Sequence, residues 1–449
     1  MDKWRAIRLI SILLLFGFAL IWIGYGTART DFVQLVALYV FLIALYLFAL
    51  HIKAFETRLS IFLGAALLLR VLLLFMTPNL TDDYFRYIWD GLLFTHGYNP
   101  YLILPSEFIH SLGNVPGITT TLYGQLNSAA YYTVYPPVCQ FIFGLGAKLA
   151  GGNVLGNVIF FRFVILLAES GTIYLLYKLA SKFRISSGAV AIYAFNPLVI
   201  IELTGNLHLE AVMLFFLVTA IYLLIEERLF YASISFGLAV AVKLVPLLFL
   251  PLLIKRLGLR KSLIFYTVVG IIFVVLFVPF LNVSLVPDFF SSLRLYFQTF
   301  EFNASLYYLF RWIGYQVTGY NTIAVLGVAL AVVVFITIVT IALKEKIITW
   351  QSLFRSMLLC LTAYYLLATT VHPWYITPLV LLSVFTCYRY VVVWSALIIV
   401  SYAAYQTMPY QEHLWLIAME YVVVIGWMVY ELLKNKANLK SGANSVVGM

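Results

Sequence analysis

The stretch LISILLLFGFALIWIGYG at residues 9–26 carries no charge and directly follows Lys3, Arg5 and Arg8. At about 1.5 Å of rise per helical residue, a block of this length matches the roughly 30 Å of hydrocarbon in a bilayer. A second block, FVQLVALYVFLIALYLFAL at 32–50, comes after a short turn and ends at His51 and Lys53. The two read as an antiparallel pair of membrane helices. The first has the basic flank of a secretory leader, but it lacks a convincing small-x-small cleavage site and further apolar blocks follow, so it is expected to be retained.

The same pattern runs on through the chain. Of its 449 residues 64% are hydrophobic, 17% aromatic and only 10% charged, whereas soluble domains average about 45–50% apolar and about 25% charged. A soluble globular protein is excluded. The fold class is an all-α polytopic membrane protein, read as one integral-membrane domain over 1–449. Lys and Arg number 28 against 18 Asp and Glu, a formal charge of +10. This basic excess sits in short turns between apolar blocks, where it signals orientation and not a phosphate-binding surface. Nucleic acid is not an expected partner; membrane lipids are.

Taking the basic turns as cytoplasmic, residues 1–8 lie inside, 9–26 crosses outward, 31–50 returns and 59–77 crosses outward again. The segment 78–135 then lies outside. Reading back from Lys434, Lys436 and Lys440 puts 406–412 and His372 outside, Arg389 and Lys344/Lys346 inside, and 282–321 outside. Two blocks break the alternation. Block 136–150 is short, begins Tyr135-Pro136-Pro137 and ends at Gly151-Gly152, so it is expected to be juxtamembrane or re-entrant. Block 229–254 contains Lys243 and Pro246 and is expected to be a broken helix. The expectation is roughly twelve spans with both termini cytoplasmic.

Cys139, Cys360 and Cys387 form no CxxC pair, which argues against redox or cysteine-metal chemistry. The chain contains no GxxxxGK[ST], HExxH or GxSxG motif. No polar stretch is long enough for a cytosolic nucleotide-sugar domain, so a sugar substrate would have to arrive on a membrane carrier. No internal repeat supports a two-fold transporter.

The polar residues concentrate on the outer face, above all in Thr81-Asp82-Asp83-Tyr84. Thr81 is expected to cap a short helix with acids in its first turn, and helical spacing sets Asp82, Arg86 and Asp90 near one face. Adjacent carboxylates at the mouth of a membrane helix can accept a proton from an attacking hydroxyl. Capping and pairing with Arg86 would be their purely structural use. Lys243 stands inside an apolar stretch, which is costly unless the ammonium is paired or faces a cavity; snorkelling to the headgroups is its structural alternative. The stretch Leu306–Trp312 is amphipathic and is expected to lie on the membrane.

These features resemble the GT-C superfamily of integral-membrane glycosyltransferases, which use polyprenyl-phosphate sugars, and are most similar to its mannosyltransferase-like branch, family 87 and relatives. The resemblance rests on Thr81–Tyr84, Arg86-Tyr87-Ile88-Trp89-Asp90-Gly91, Asn99-Pro100-Tyr101, Tyr135-Pro136-Pro137, Asn196-Pro197, Gly205–Glu210, Lys243–Pro246, Glu301–Ser305 and His372-Pro373-Trp374-Tyr375. It implies a bundle whose outer loop 78–135 carries the catalytic acid, Asp82 as general base with Asp83 supporting or exchangeable, inversion at the anomeric carbon, and no cofactor or metal. It further implies a polyprenyl-phosphate hexose donor, with mannose the expected sugar, and a glycolipid or envelope-glycan acceptor. The setting would be a bacterial inner membrane with the site on its periplasmic side.

A phosphate leaves as a stable anion, so cations and hydrogen-bond donors around it matter more than an acid. His372, Lys243 and Arg311 are the expected donor-phosphate ligands. Arg86, Tyr87, Asp90, Asn206, His208, Glu210, Glu301, Asn303, Trp374 and Tyr375 are expected to bind substrate or support the site. Arg294 is a further basic residue in the second outer segment, 282–321, and Glu202 flanks the turn before His208. The rival reading is a flippase or transporter for a lipid-linked sugar, with Lys243 and Glu169 marking the path; a non-catalytic envelope scaffold is a third.

Overall fold

A computed structural model describes residues 3–111, 115–283, 287, 300–407 and 409–445; Arg294 lies outside the described residues. The architecture is helical throughout, and among the described residues the one β feature is an isolated bridge between Phe302 and Thr370. Helices α1 (Lys3–Gly26), α2 (Phe32–His51) and α3 (Leu59–Val71) open the chain. Helix α4 (Asp83–Thr95) is followed by α5 (Pro137–Ala150) and α6 (Val154–Lys182). After two short helices come α7 (Glu210–Ile225), α8 (Leu229–Val242) and α9 (Leu250–Phe277). The chain closes with α10 (Leu306–Thr318), α11 (Ile323–Lys344), α12 (Trp350–Leu367), α13 (Thr377–Ser383), α14 (Tyr390–Leu397) and α15 (Leu414–Ser445).

The expected run of spans resolves into unequal parts. Six helices among the described residues are long and apolar enough to cross a membrane. A bent pair, Ser187–Ala194 and Pro197–Gly205, turns by 50°, and the number is seven if the pair is counted as one span. The bend falls at Asn196-Pro197, where proline lacks the amide that would continue the helix and disfavours helical geometry in its neighbour. Six further apolar helices have 10–17 residues, α5 among them. At about 1.5 Å per residue α5 is roughly 21 Å long, too short to cross alone. The break expected inside 229–254 falls at Lys243, whose backbone is extended (φ −156°, ψ 140°) between α8 and a 3-10 turn holding Pro246.

The side chains follow lipid as solvent. Leu14, Phe18, Val40, Phe48, Val325 and Phe335 face outward, while Phe16, Leu35, Tyr39, Leu214 and Leu361 are buried between helices. Gly91 lets α4 approach α5 closely, for a Cβ there would come within 2.3 Å of the Phe143 carbonyl oxygen. Buried charge is compensated internally. Arg70 donates to Glu169 at 2.7 and 3.0 Å and to the Ala66 and Ala194 carbonyls, and the Tyr193 hydroxyl also donates to Glu169. Glu169 is thus the anchor of an ion pair that joins α3 to α6.

Candidate active site

The acidic pair sits at the start of α4, where the chain leaves α3 and turns back. Asp82, not Thr81, occupies the capping position, and its carboxylate makes no capping bond; the Thr81 hydroxyl accepts from the Asp83 amide at 3.3 Å. This corrects the expected cap by one residue. The Asp82 carboxylate reaches across to Arg29 at 2.7 Å, in the turn between α1 and α2, with side chains 37% and 24% exposed. Arg29 in turn lies over the Tyr405 ring, 4.5 Å from its centroid. Asp83 accepts from the Asn127 side chain at 2.8 Å, in the segment between α4 and α5. Adjacent carboxylates therefore have different neighbours, and Asp82 stands closer to a fixed cation.

Arg86 and Asp90 do share a helix face, but their pair is internal. They meet at 2.7 Å with almost no exposure. Arg86 also donates to the carbonyls of Ser128 and Tyr131, and Gln140 donates to Asp90 and to Thr133. Together they fasten 128–133 to α4 and α5. Tyr87 is packed against Tyr135, Phe143 and Phe161. The structure does not bring Asp82 to Arg86, as helical spacing had suggested, because Arg29 takes its carboxylate.

A second cluster forms where three segments converge. The π-helical turn Ile200–Gly205 ends in Asn206, and Leu207 adopts a left-handed conformation with φ +64°. That reversal aims Asn206 and His208 inward. Glu202 accepts from Asn206 at 3.0 Å and from the Tyr402 hydroxyl at 2.8 Å, and its carboxylate lies 3.4 Å from His208 Nε2. The His208 ring stacks on Trp374 at 3.8 Å between centroids, Trp374 on His372 at 4.3 Å, and His372 on Phe302 at 4.8 Å. Tyr375 meets the His372 ring edge-on at 5.3 Å.

Lys243 projects from the break after α8 and forms an ion pair with Glu210, the first residue of α7. Its ammonium also sits 4.2 Å from the Tyr375 ring centroid, an arrangement stabilised by the ring quadrupole. Burial holds the His372 imidazole well below the usual histidine range, and repulsion from His208 and Lys243 adds to this. His372 is therefore a neutral hydrogen-bonding group. Its Nδ1, together with Asn206 Oδ1, is buried without a hydrogen-bond partner in the structure. Buried polar atoms in folded proteins are normally partnered, so this cluster has hydrogen-bonding capacity to offer.

The segment around 301–303 joins this cluster from the side. Phe302 exchanges backbone hydrogen bonds with Thr369 and Val371 at 3.2 and 2.8 Å, which anchors it beside His372. Asn303, left-handed at φ +46°, gives its amide to Glu412 at 2.5 Å and its side chain to Glu420 at 3.3 Å. Glu301 pairs with Arg311 and accepts from Asn321 at 2.9 Å. Arg311 also lies 4.4 Å from the Tyr308 ring centroid, so its contacts are with Glu301 and Tyr308 and not with His372 or Lys243. A hollow of about 380 Å³ lined by Tyr25, Gly26, Thr27, Ala28, Asp31 and Asn79 opens beside the turn that carries Arg29, and none of the expected site residues lines it.

Sequence reasoning placed Asp82, Asp83, Asn206, His208, Glu210, Lys243, His372, Trp374 and Tyr375 on the outer side, and the structure groups the last seven of these in one contact network. It missed Arg29, Tyr402 and Tyr405. Arg29 carried a signal, a basic residue in a turn that charge bias puts outside, against the usual asymmetry.

Compared with known proteins, residues 11–257 match the family model described as alpha-(1->6)-mannopyranosyltransferase, N-terminal domain. Alpha-(1->6)-mannopyranosyltransferase A of Mycobacterium tuberculosis is 26% identical over 188 residues, which is 40% of this chain and 34% of that protein. The protein of the same name from Corynebacterium glutamicum is 22% identical over 188 residues, 40% of this chain and 36% of that one. The match thus spans about a third of the length of these relatives. Its family part contains Asp82, Asp83, His208 and Lys243, while His372 and Trp374 lie beyond it.

Proposed function

The chain belongs to the alpha-(1->6)-mannopyranosyltransferase family, and from that premise we propose that it transfers mannose from a polyprenyl-phosphate donor to a hydroxyl of a glycolipid or envelope-glycan acceptor. The reaction takes place on the periplasmic face of a bacterial inner membrane. The relatives' names carry an alpha-(1->6) linkage, and the same linkage is our reading for this chain. The observation that supports the mechanism is a chain of contacts, Asp82 to Arg29 to Tyr405 to Phe302 to His372, that links two unlike groups. One is an exposed carboxylate, Asp82, held by Arg29; the other is a polar cluster with an ammonium, Lys243, and buried unpartnered imidazole and amide atoms.

Asp82 accepts the proton of the acceptor hydroxyl as its oxygen bonds to the anomeric carbon. The bond from that carbon to the phosphate oxygen breaks with inversion, and the polyprenyl phosphate leaves with the electron pair. Lys243 and a hydrogen bond from neutral His372 stabilise the departing phosphate. Asn206 and His208 bind sugar hydroxyls at the edge of Trp374, whose faces are taken by the two imidazoles. Arg311, paired to Glu301, supports the outer segment 301–303 and anchors α10 at the membrane surface.

The test is turnover and donor binding by purified Asp82→Asn. Donor binding within a few-fold of wild type with turnover reduced at least a thousandfold supports Asp82 as base. Near-normal turnover rejects that assignment.

A further inference from the structure

Arg162 lies in the first third of α6 and is completely buried. Arg70, another buried arginine, on α3, meets the carboxylate of Glu169. Among the described residues no carboxylate stands within ion-pair distance of Arg162. All of its hydrogen bonds go to backbone carbonyls: Nε to Thr204 at 2.8 Å, Nη1 to Leu74 at 2.8 Å and Met76 at 2.6 Å, and Nη2 to Gly205 at 3.0 Å.

These four carbonyls belong to two segments. Leu74 and Met76 lie where the chain leaves α3 on its way to Asp82 and Asp83. Thr204 and Gly205 end the π-helical turn that delivers Asn206 and His208. Carbonyls at a helix end lack intrahelical donors, and a cation there is favoured by the helix dipole. A charged side chain inside an apolar bundle is nevertheless costly, and each segment's carbonyls could be capped separately by small neutral donors. What one planar guanidinium adds is rigidity between the two segments, because its donors are fixed in a single fork.

We propose that Arg162 is a positioning residue for sugar transfer, setting the separation between the acidic pair and the His208–Trp374–His372 stack without touching substrate. The inference rests on the roles given to those groups under Proposed function. Misplacement of reacting groups by about 1 Å can cost on the order of a hundredfold in rate, so a clamp remote from the chemistry has leverage on turnover.

The experiment compares full-length wild type with Arg162→Gln and Arg162→Lys by steady-state transfer and by hydrogen–deuterium exchange of the substrate-free protein. For Arg162→Gln we expect turnover to fall at least tenfold with donor KM within threefold. Exchange should accelerate in 74–83 and 200–209 while 323–344 keeps wild-type protection. Arg162→Lys, which retains the charge and some donors, should recover part of both effects. Unchanged exchange in the two segments overturns the proposal, as does accelerated exchange with wild-type turnover, or a loss of protection that extends equally into 323–344. Should Arg162→Gln fail to fold, Arg162→Lys decides by the same pair of readouts: local acceleration with at least a threefold loss of turnover supports the clamp, and wild-type values contradict it. The exchange arm needs no substrate. A wild-type protein that transfers no sugar therefore defeats the proposed function, whereas unaltered exchange in the variants defeats the clamp.

Discussion

The acidic rim and the imidazole–indole stack are built by opposite means. At the rim, Asp82 is 37% exposed and has one close cationic neighbour, Arg29, itself reached from a different helix turn. In the stack, His208, Trp374, His372 and Phe302 press ring on ring, and His208 and His372 are only 2% and 6% exposed. The contrast suits the two halves of a displacement. A base must be reachable by an incoming hydroxyl and free of it afterwards, whereas the leaving-group side gains from fixed dipoles that need no rearrangement. Water-exposed and water-excluded groups should therefore answer differently to substitution.

The sharpest break would come from exchanging the two acids. Asp82→Asn is expected to lower turnover about a hundredfold more than Asp83→Asn, since general-base catalysis contributes on the order of 10²–10⁴ and Asp83 is engaged with Asn127. Equal losses in a side-by-side transfer assay would erase the distinction between them. Next in size is the buried Arg86–Asp90 pair behind the rim. Asp90→Asn leaves a buried guanidinium without its counter-ion and should cost about 3–5 kcal/mol, whereas the exposed Arg29–Asp82 pair contributes about 1 kcal/mol or less. Thermal unfolding in detergent reads both, and a similar small shift for the two would contradict the internal role of Asp90.

Lys243→Met should raise donor KM about tenfold through loss of a charge-assisted contact to phosphate, with the smaller effect on binding of a sugar acceptor. Titration with donor and with acceptor separates these, and an effect confined to the acceptor would move Lys243 to the other side of the reaction. The smallest effect is on stability against pH. Because burial lowers the His372 pKa in the folded state, folding keeps the ring neutral while the unfolded chain takes up a proton. Its contribution to stability is full above the unfolded histidine value of about 6.5 and is lost as pH falls below it. His372→Gln should flatten the decline of the unfolding midpoint between pH 7 and 5. An unchanged slope would show that His372 does not drive it.

How much of this could be read beforehand differs between the two regions. The membrane class, the short helix 137–150 and the break at Lys243 follow from block length, Gly and Pro, because local chain physics fixes them. Charge bias at the turns also gives the expectation that Asp82, His208 and His372 share the outer side. Contacts between distant segments were not legible. Helical periodicity assigned Arg86 to Asp82, yet the carboxylate turns to Arg29, which lies on a separate hairpin. Nothing in the local pattern of Trp374 shows that two histidines from different turns stack on it, and nothing local to Arg311, an expected phosphate ligand, shows that Glu301 pairs with it. Arg162 is the clearest case, for its partners are backbone carbonyls, which carry no sequence signature.

The most direct test of the account is sugar transfer by the purified wild-type protein. Short-chain polyprenyl-phosphate mannose labelled in the sugar would be incubated with a mannoside acceptor and with a membrane-lipid extract. The account predicts a labelled product, an α-linked mannoside by proton NMR, formed together with free polyprenyl phosphate. Binding of the donor with no transfer across a panel of sugars and acceptors, combined with movement of labelled donor across sealed vesicles, would contradict it and put a lipid-linked-sugar carrier in its place.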